Sequence, residues 1–225
     1  MIHPDIQAML VRERSETLLA AAAAYRRGRQ ARLAATAVSR AAADRTVPDR
    51  TAERGRVVLR DGSAVLIRPV RGADAPLLAD GFARLSERSR RLRFLGRKRT
   101  LTEADLRFFT DVDHHDHEAL GALDHARGGG VGIARYVRDR ENPAAAEIAV
   151  TIVDDWQGRG LGTELLARLA ERAREEGIRR FTAVVADGNP AASGLLRSSG
   201  ASLVHRGSGI AEYEIDLDGT SSRAG

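Results

Sequence analysis

Three glycines stand two apart at Gly158, Gly160 and Gly162, just after a run of β-forming residues and just before a run of helix formers. Stripping side chains from alternate positions serves either a tight backbone turn or the close approach of something large and charged. At a strand-to-helix junction the first helical turn presents unpaired N–H groups and the positive end of the helix dipole. A phosphate or pyrophosphate can then reach those groups directly, and Arg159 adds a fixed positive charge beside them. The spacing therefore suits a phosphorylated ligand. Two familiar phosphate motifs do not fit it. A P-loop needs Lys-Ser/Thr after its last glycine, and no lysine follows; a dinucleotide fingerprint needs its third glycine where Thr163 stands.

Other polar residues fall in suggestive places. The stretch Glu147–Val153 reads as a strand, and alternation puts Glu147, Ala149, Thr151 and Val153 on one face. Ile148, Val150 and Ile152 form the opposite face, which belongs in the core, whereas the first face suits the lining of a cleft. Asn189 followed by Pro190 has the form of an N-cap with proline at the first helical position, and contact with a ligand is compatible with that capping. His114, His115 and His117 stand among Asp111, Asp113 and Asp116. An alternating histidine pair can ligate zinc, but no distant partner presents itself. A polar loop entering a strand is the reading adopted, with no metal assigned, and its acidity would attract a cationic amine.

The elements that position these residues follow from the punctuation of the chain. Residues 1–55 are Ala/Arg-rich, with ten arginines against six acidic residues, and read as a helical extension and linker. That extension offers a surface for docking or for a homodimer through its helix. From residue 56 the pattern changes to a hairpin through Asp61-Gly62. Three helical stretches follow, the second capped by Ser86 and the third by a Thr102/Asp105 capping box. Three strand candidates then lead to the glycine turn. Beyond it come a helix from Thr163 with Leu165, Leu166, Leu169 and Ala173 on one face, a strand, a short helix and a closing strand pair. The fold class expected is α+β: a mixed, mostly antiparallel sheet between helices (an α/β/α sandwich) over residues 56–217, with 218–225 as a disordered tail.

Composition narrows the function classes. The chain has 225 residues, 43% hydrophobic and 30% charged, enough for a sizeable core plus a smaller appendage. Cysteine is absent, which excludes disulfides, a catalytic thiol and thiolate-bound metal. No apolar run approaches the ~20 residues that cross a bilayer, and Asp5 precedes any apolar stretch, which argues against a secretory signal. A cytoplasmic location is expected. The net charge is +5 and Lys98 is the only lysine. Basic and acidic residues interleave and aromatics are only 4%, which argues against a nucleic-acid platform.

The pattern Gln157-Gly158-Arg159-Gly160-Leu161-Gly162 is similar to the coenzyme A pyrophosphate loop of the GNAT superfamily of N-acyltransferases. "NPAASGLLRSSGA", with Asn189 and Gly200, resembles a second conserved block of that superfamily. "IRPVRGADAPLL", "LSERSRRLRFL" and "AEIAVTIVDDWQGRGLG" resemble the acetyltransferase domain of bacterial Pat-type protein lysine acetyltransferases. The resemblance spans about 160 residues. It implies acetyl-CoA as cosubstrate and no metal. It implies contacts to the coenzyme from Thr151, Ile152 and Val153, from Gln157 through Thr163, and from Asn189. It also implies Glu147 as the general base for attack by an amine. Many members place a tyrosine acid seven residues after the conserved asparagine, where this chain has Leu196, so no acid is assigned. The function implied is acetylation of protein lysines. The alternatives are acetylation of a small amine and a non-catalytic acyl-CoA sensor.

Overall fold

The computed structural model describes residues 55–219. The expected helical extension, and any dimer contact through it, lies outside the described residues apart from Gly55. The described residues include Asp218, just past the expected domain end at 217, and its carboxylate pairs with Arg179 at 2.9 Å; the rest of the expected tail lies outside them apart from Gly219.

Strands β1 (Arg56–Val58) and β2 (Ala64–Pro69) form the expected hairpin. Its turn is set by Asp61, whose carboxylate accepts from the Ser63 amide at 3.0 Å, and by Gly62 at φ +83°. Helices α1 (Ala75–Ala83), α2 (Glu87–Phe94) and α3 (Glu103–Thr110) follow. Ser86 caps α2 by accepting from Ser89 N at 3.1 Å. Thr102 and Asp105 close the capping box of α3 at 3.1 and 2.7 Å. Both caps satisfy amides that a helix start leaves without partners.

Next come β3 (His117–Asp124), β4 (Gly130–Arg138) and β5 (Ala145–Ile152), then α4 (Leu161–Glu175), β6 (Arg180–Ala186), α5 (Pro190–Ser198), β7 (Ser202–Gly207) and β8 (Ile210–Asp216). The eight strands make one sheet in the order β1-β2-β3-β4-β5-β6-β8-β7. All pairings are antiparallel except β5 with β6, which α4 connects. The mixed, mostly antiparallel sheet between helices is the architecture expected.

Helix α4 begins at Leu161 rather than at Thr163, because Leu161 already belongs to the apolar stripe. Leu161, Leu165, Leu169 and Ala173 repeat every four residues and are all buried on one sheet face. The core there includes Tyr136 and Phe181, with rings 6.1 Å apart, and Leu196 of α5. Helices α1–α3 cover the other face, over Val70, Val112, Ala119 and Ile133. Among the described residues, no helix is long and apolar enough to cross a membrane.

Candidate active site

Strands β5 and β6 pair only through Ala145, Ala146 and Glu147 and then part. The sheet thus opens into a V-shaped gap with Glu147 at its apex and the glycine turn at the far end of β5. Peptide groups of a strand alternate between its two edges. The Val153 amide donates to Val131 O of β4 at 3.0 Å, and Thr151 lies opposite Ile133 in the same register. The peptide groups of Val150 and Ile152 therefore face the gap. Of the three residues expected to hold a ligand by their backbone, only Ile152 is so turned. Thr151 and Val153 present their side chains to a cleft under α1–α3 instead.

The three glycines of the turn answer to different demands. Gly158 and Gly160 adopt φ of +77° and +90°, a region that L side chains rarely enter. Gly160 is the N-cap of α4. Gly162 lies inside the helix, where an added Cβ would come within 3.2 Å of Leu195 Cδ2 on α5. Among the described residues, the amides of Gly158, Arg159 and Gly160 have no backbone acceptor. With the first turn of α4 they form a cluster of donors suited to an anion.

The side chains around this cluster are engaged within the protein. Arg159 pairs with Asp61 at 3.0 Å, donates to Asp155 O at 2.6 Å and lies over the Trp156 ring at 4.7 Å. Gln157 donates to Ile152 O and to the Asp154 carboxylate at 3.0 and 3.1 Å. Leu161 is buried and Thr163 exposed. Asn189 Oδ1 accepts from Ala192 N at 3.1 Å, so its capping role is realised. Leu196 is buried in the main core, 4% exposed, so no hydroxyl reaches the gap from that position.

On the α1–α3 face, cross-strand register sets Arg135 opposite Ala149 and Val137 opposite Glu147. Arg93 of α2 reaches over the sheet, donating to Thr151 Oγ1 at 2.8 Å, and its charge acts on Glu147. Burial lowers the Arg93 pKa, and Glu147 partly offsets that. Arg135 is buried, with its guanidinium carbon 4.2 Å from the centre of the Phe109 ring. Burial, then the charge of Arg93, push its pKa down to about 9. Asp154 anchors α2 to the end of β5, accepting from Ser86 N at 2.9 Å and Ser89 Oγ at 2.6 Å. Burial raises the Asp154 pKa, but the Ser86 and Ser89 hydrogen bonds outweigh it and hold it below the usual carboxylate range.

Sequence reasoning missed Arg93, Arg135 and Asp154. A charge amid the apolar alternation of "GVGIARYVR" is the one local signal that marked Arg135.

The histidine loop is a structural knot. Asp113 Oδ1 accepts from the amides of His115, Asp116 and His117 at 3.0, 2.9 and 2.8 Å. His114 contacts the buried Glu118 at 2.7 Å, His115 contacts Glu176, and Asp116 pairs with Arg138 at 2.8 Å. These contacts tie the loop to the C-terminal end of α4 rather than leaving its acids to draw in an amine. Among the described residues, no group of three or more His, Cys, Asp or Glu is placed to hold a metal ion.

Comparison with known proteins identifies this arrangement. The family model for the acetyltransferase (GNAT) domain matches residues 64–202. Acetyltransferase Pat of Mycolicibacterium smegmatis is 32% identical over 161 residues, 72% of this chain and 48% of that protein, so the chain spans about half the length of this relative. The solved GNAT domain of S. lividans PAT superposes with a TM-score of 0.68 at 32% identity, over 72% of this chain and 95% of that one. At 20% identity, where only the fold is shared, yncA of Salmonella typhimurium, solved with its cofactor acetyl-CoA, has a TM-score of 0.55 over 71% of this chain and 98% of that one. A sheet that opens beyond Glu147, a donor-rich glycine turn and these matches agree: the chain belongs to the GNAT acetyltransferase family.

Proposed function

We propose that the chain is an acetyl-CoA-dependent acetyltransferase acting on protein lysine side chains, with Glu147 as general base. The observation that carries this reading is the parting of β5 from β6 directly after Glu147, on a strand that ends in the glycine turn. Acetyl-CoA supplies the acetyl group as a thioester, a donor that reacts with neutral amines. The gap-facing peptide group of Val150 and the Ile152 amide, whose carbonyl already accepts from Gln157, suit its amide-bearing pantetheine arm. The free amides from Gly158 to Gly160 and the first turn of α4 suit its pyrophosphate.

An amine must lose its proton before it attacks, and the Glu147 carboxylate at the apex is the group to take it, directly or through water. Asp154 holds the start of α2 to the far end of β5 through Ser86 and Ser89. The resemblance to the Pat-type enzymes supports lysine as the acceptor. Acetylation of a small amine is the second reading, favoured by the partly open, mostly apolar cleft that runs up to Thr151.

The test mixes purified protein, labelled acetyl-CoA and a cell extract, with Glu147→Gln alongside. Label on protein lysines, slowed about 10²- to 10⁴-fold in the variant, is the expected result. Label confined to small molecules would move the acceptor to free amines. Protein-dependent label of equal rate in the variant would remove Glu147 from the chemistry. Binding of acetyl-CoA without transfer would make the chain a sensor.

A further inference from the structure

The cleft beneath α1–α3 is lined by two cations, the buried Arg135 and the half-buried Arg93, neither in ion-pair contact with a carboxylate among the described residues. Arg135 is 5% exposed. Its contacts are the Phe109 ring at 4.2 Å and His117 Nε2 at 3.4 Å. Arg93, on the same face, is held by the Thr151 hydroxyl at 2.8 Å and lies 5.1 Å from the Phe94 ring. Among the described residues, no carboxylate comes within ion-pair distance of either guanidinium.

Desolvating a cation is expensive, and proteins ordinarily answer it with a paired acid. This cleft shows how that is done: its third arginine, Arg68, meets Asp74 through two hydrogen bonds of 2.6 and 2.7 Å. Arg135 lacks such an answer, Arg93 has only the through-space attraction of Glu147, and the two repel each other besides. The space they face is a cleft of about 90 Å³ with mostly apolar walls. A planar guanidinium presents paired donors that match a carboxylate.

We infer that this cleft binds a carboxylate, held by Arg93 and Arg135, on a ligand whose other end reaches the gap at Glu147. The position of that other end rests on the acetyltransferase reading; the carboxylate site does not. The carboxylate has two sources within one chemistry. It belongs either to the acceptor, as in an amino acid, or to the acyl group, as in a dicarboxylic acid joined to coenzyme A.

Calorimetric titration of the full chain with succinate and with its uncharged diamide tests the site without any turnover. Succinate binding, at least tenfold tighter than the diamide and weakened at least tenfold in Arg135→Gln and in Arg93→Gln, is the expected result. Circular dichroism reports whether each variant folds. If Arg135→Gln does not, Arg93→Gln alone decides.

The source is read from coenzyme thioesters. Succinyl-CoA binding tighter than acetyl-CoA, with the preference lost in the arginine variants, assigns the carboxylate to the acyl group. Equal thioester affinities, with glutamate binding beside acetyl-CoA, assign it to the acceptor. No succinate binding at millimolar concentration, or binding indifferent to both substitutions, overturns the proposal. Such a failure leaves the Glu147 labelling result standing, and the converse holds too.

Discussion

His117 shows how one side chain couples this face to pH. It is 3% exposed, stacked beside Phe108 at 4.9 Å, and contacts Arg135. Burial, then the charges of Arg135 and His114, push its pKa from 6.5 down to about 3. The folded protein keeps it neutral where the unfolded chain takes up a proton. Stability from this group is therefore complete above pH 6.5 and is lost progressively as pH falls toward 3. The slope is at most about 1.4 kcal/mol per pH unit. His117→Gln should flatten that part of the profile, read from urea midpoints at several pH values on either side of the histidine range. Parallel profiles for the two proteins would contradict the assignment. At this scale the glycine turn was legible, because its backbone demands declare themselves within a few residues. Arg93 and Arg135 were not, since their meaning arises only where α2 meets β5 and both line one cleft.

At the level of elements, the junction between β5 and α4 divides its glycines between conformation and packing. Gly160 caps the helix at φ +90°, so an alanine there meets the left-handed strain of roughly 1–2 kcal/mol. Gly162 is helical, and alanine gains about 1 kcal/mol of helix propensity there. Against that gain stands a contact of 3.2 Å with the flexible end of Leu195. Gly160→Ala should lower denaturant stability by about 1–2 kcal/mol, and Gly162→Ala should stay within about 0.5 kcal/mol of the parent. A larger loss from Gly162→Ala would mean that α5 cannot yield. The sequence pattern placed the helix start two residues late for a related reason. A glycine at the N-terminus of a helix reads as loop until the buried face of Leu161 is known.

Over the whole described unit, the sheet is packed by α4 on one side and covered by α1–α3 on the other. Leu169 is fully buried against the strands, so Leu169→Ala should cost about 2–5 kcal/mol. At roughly 2–4 °C per kcal/mol, the loss is readily measured by thermal unfolding. Leu203→Ala, on the edge strand β7 at 50% exposure, should change stability by no more than about 0.5 kcal/mol. A thermal midpoint for Leu169→Ala no lower than that of Leu203→Ala would show that α4 is not the clamp described.

The sequence by itself determined the order of strands and helices, the caps at Ser86 and Thr102, the buried stripe of α4 and the place of the glycine turn at a strand-to-helix junction. Those features rest on periodicity, capping chemistry and backbone freedom, all local. The tertiary structure alone decided that β5 leaves β6 after Glu147, which turns Val150 and Ile152 toward the gap and Thr151 and Val153 away from it. It also decided that Arg159 is drawn to Asp61 and that Arg93 and Arg135 share one apolar cleft. Register and long-range burial set these outcomes, and neither is written in the spacing of neighbouring residues.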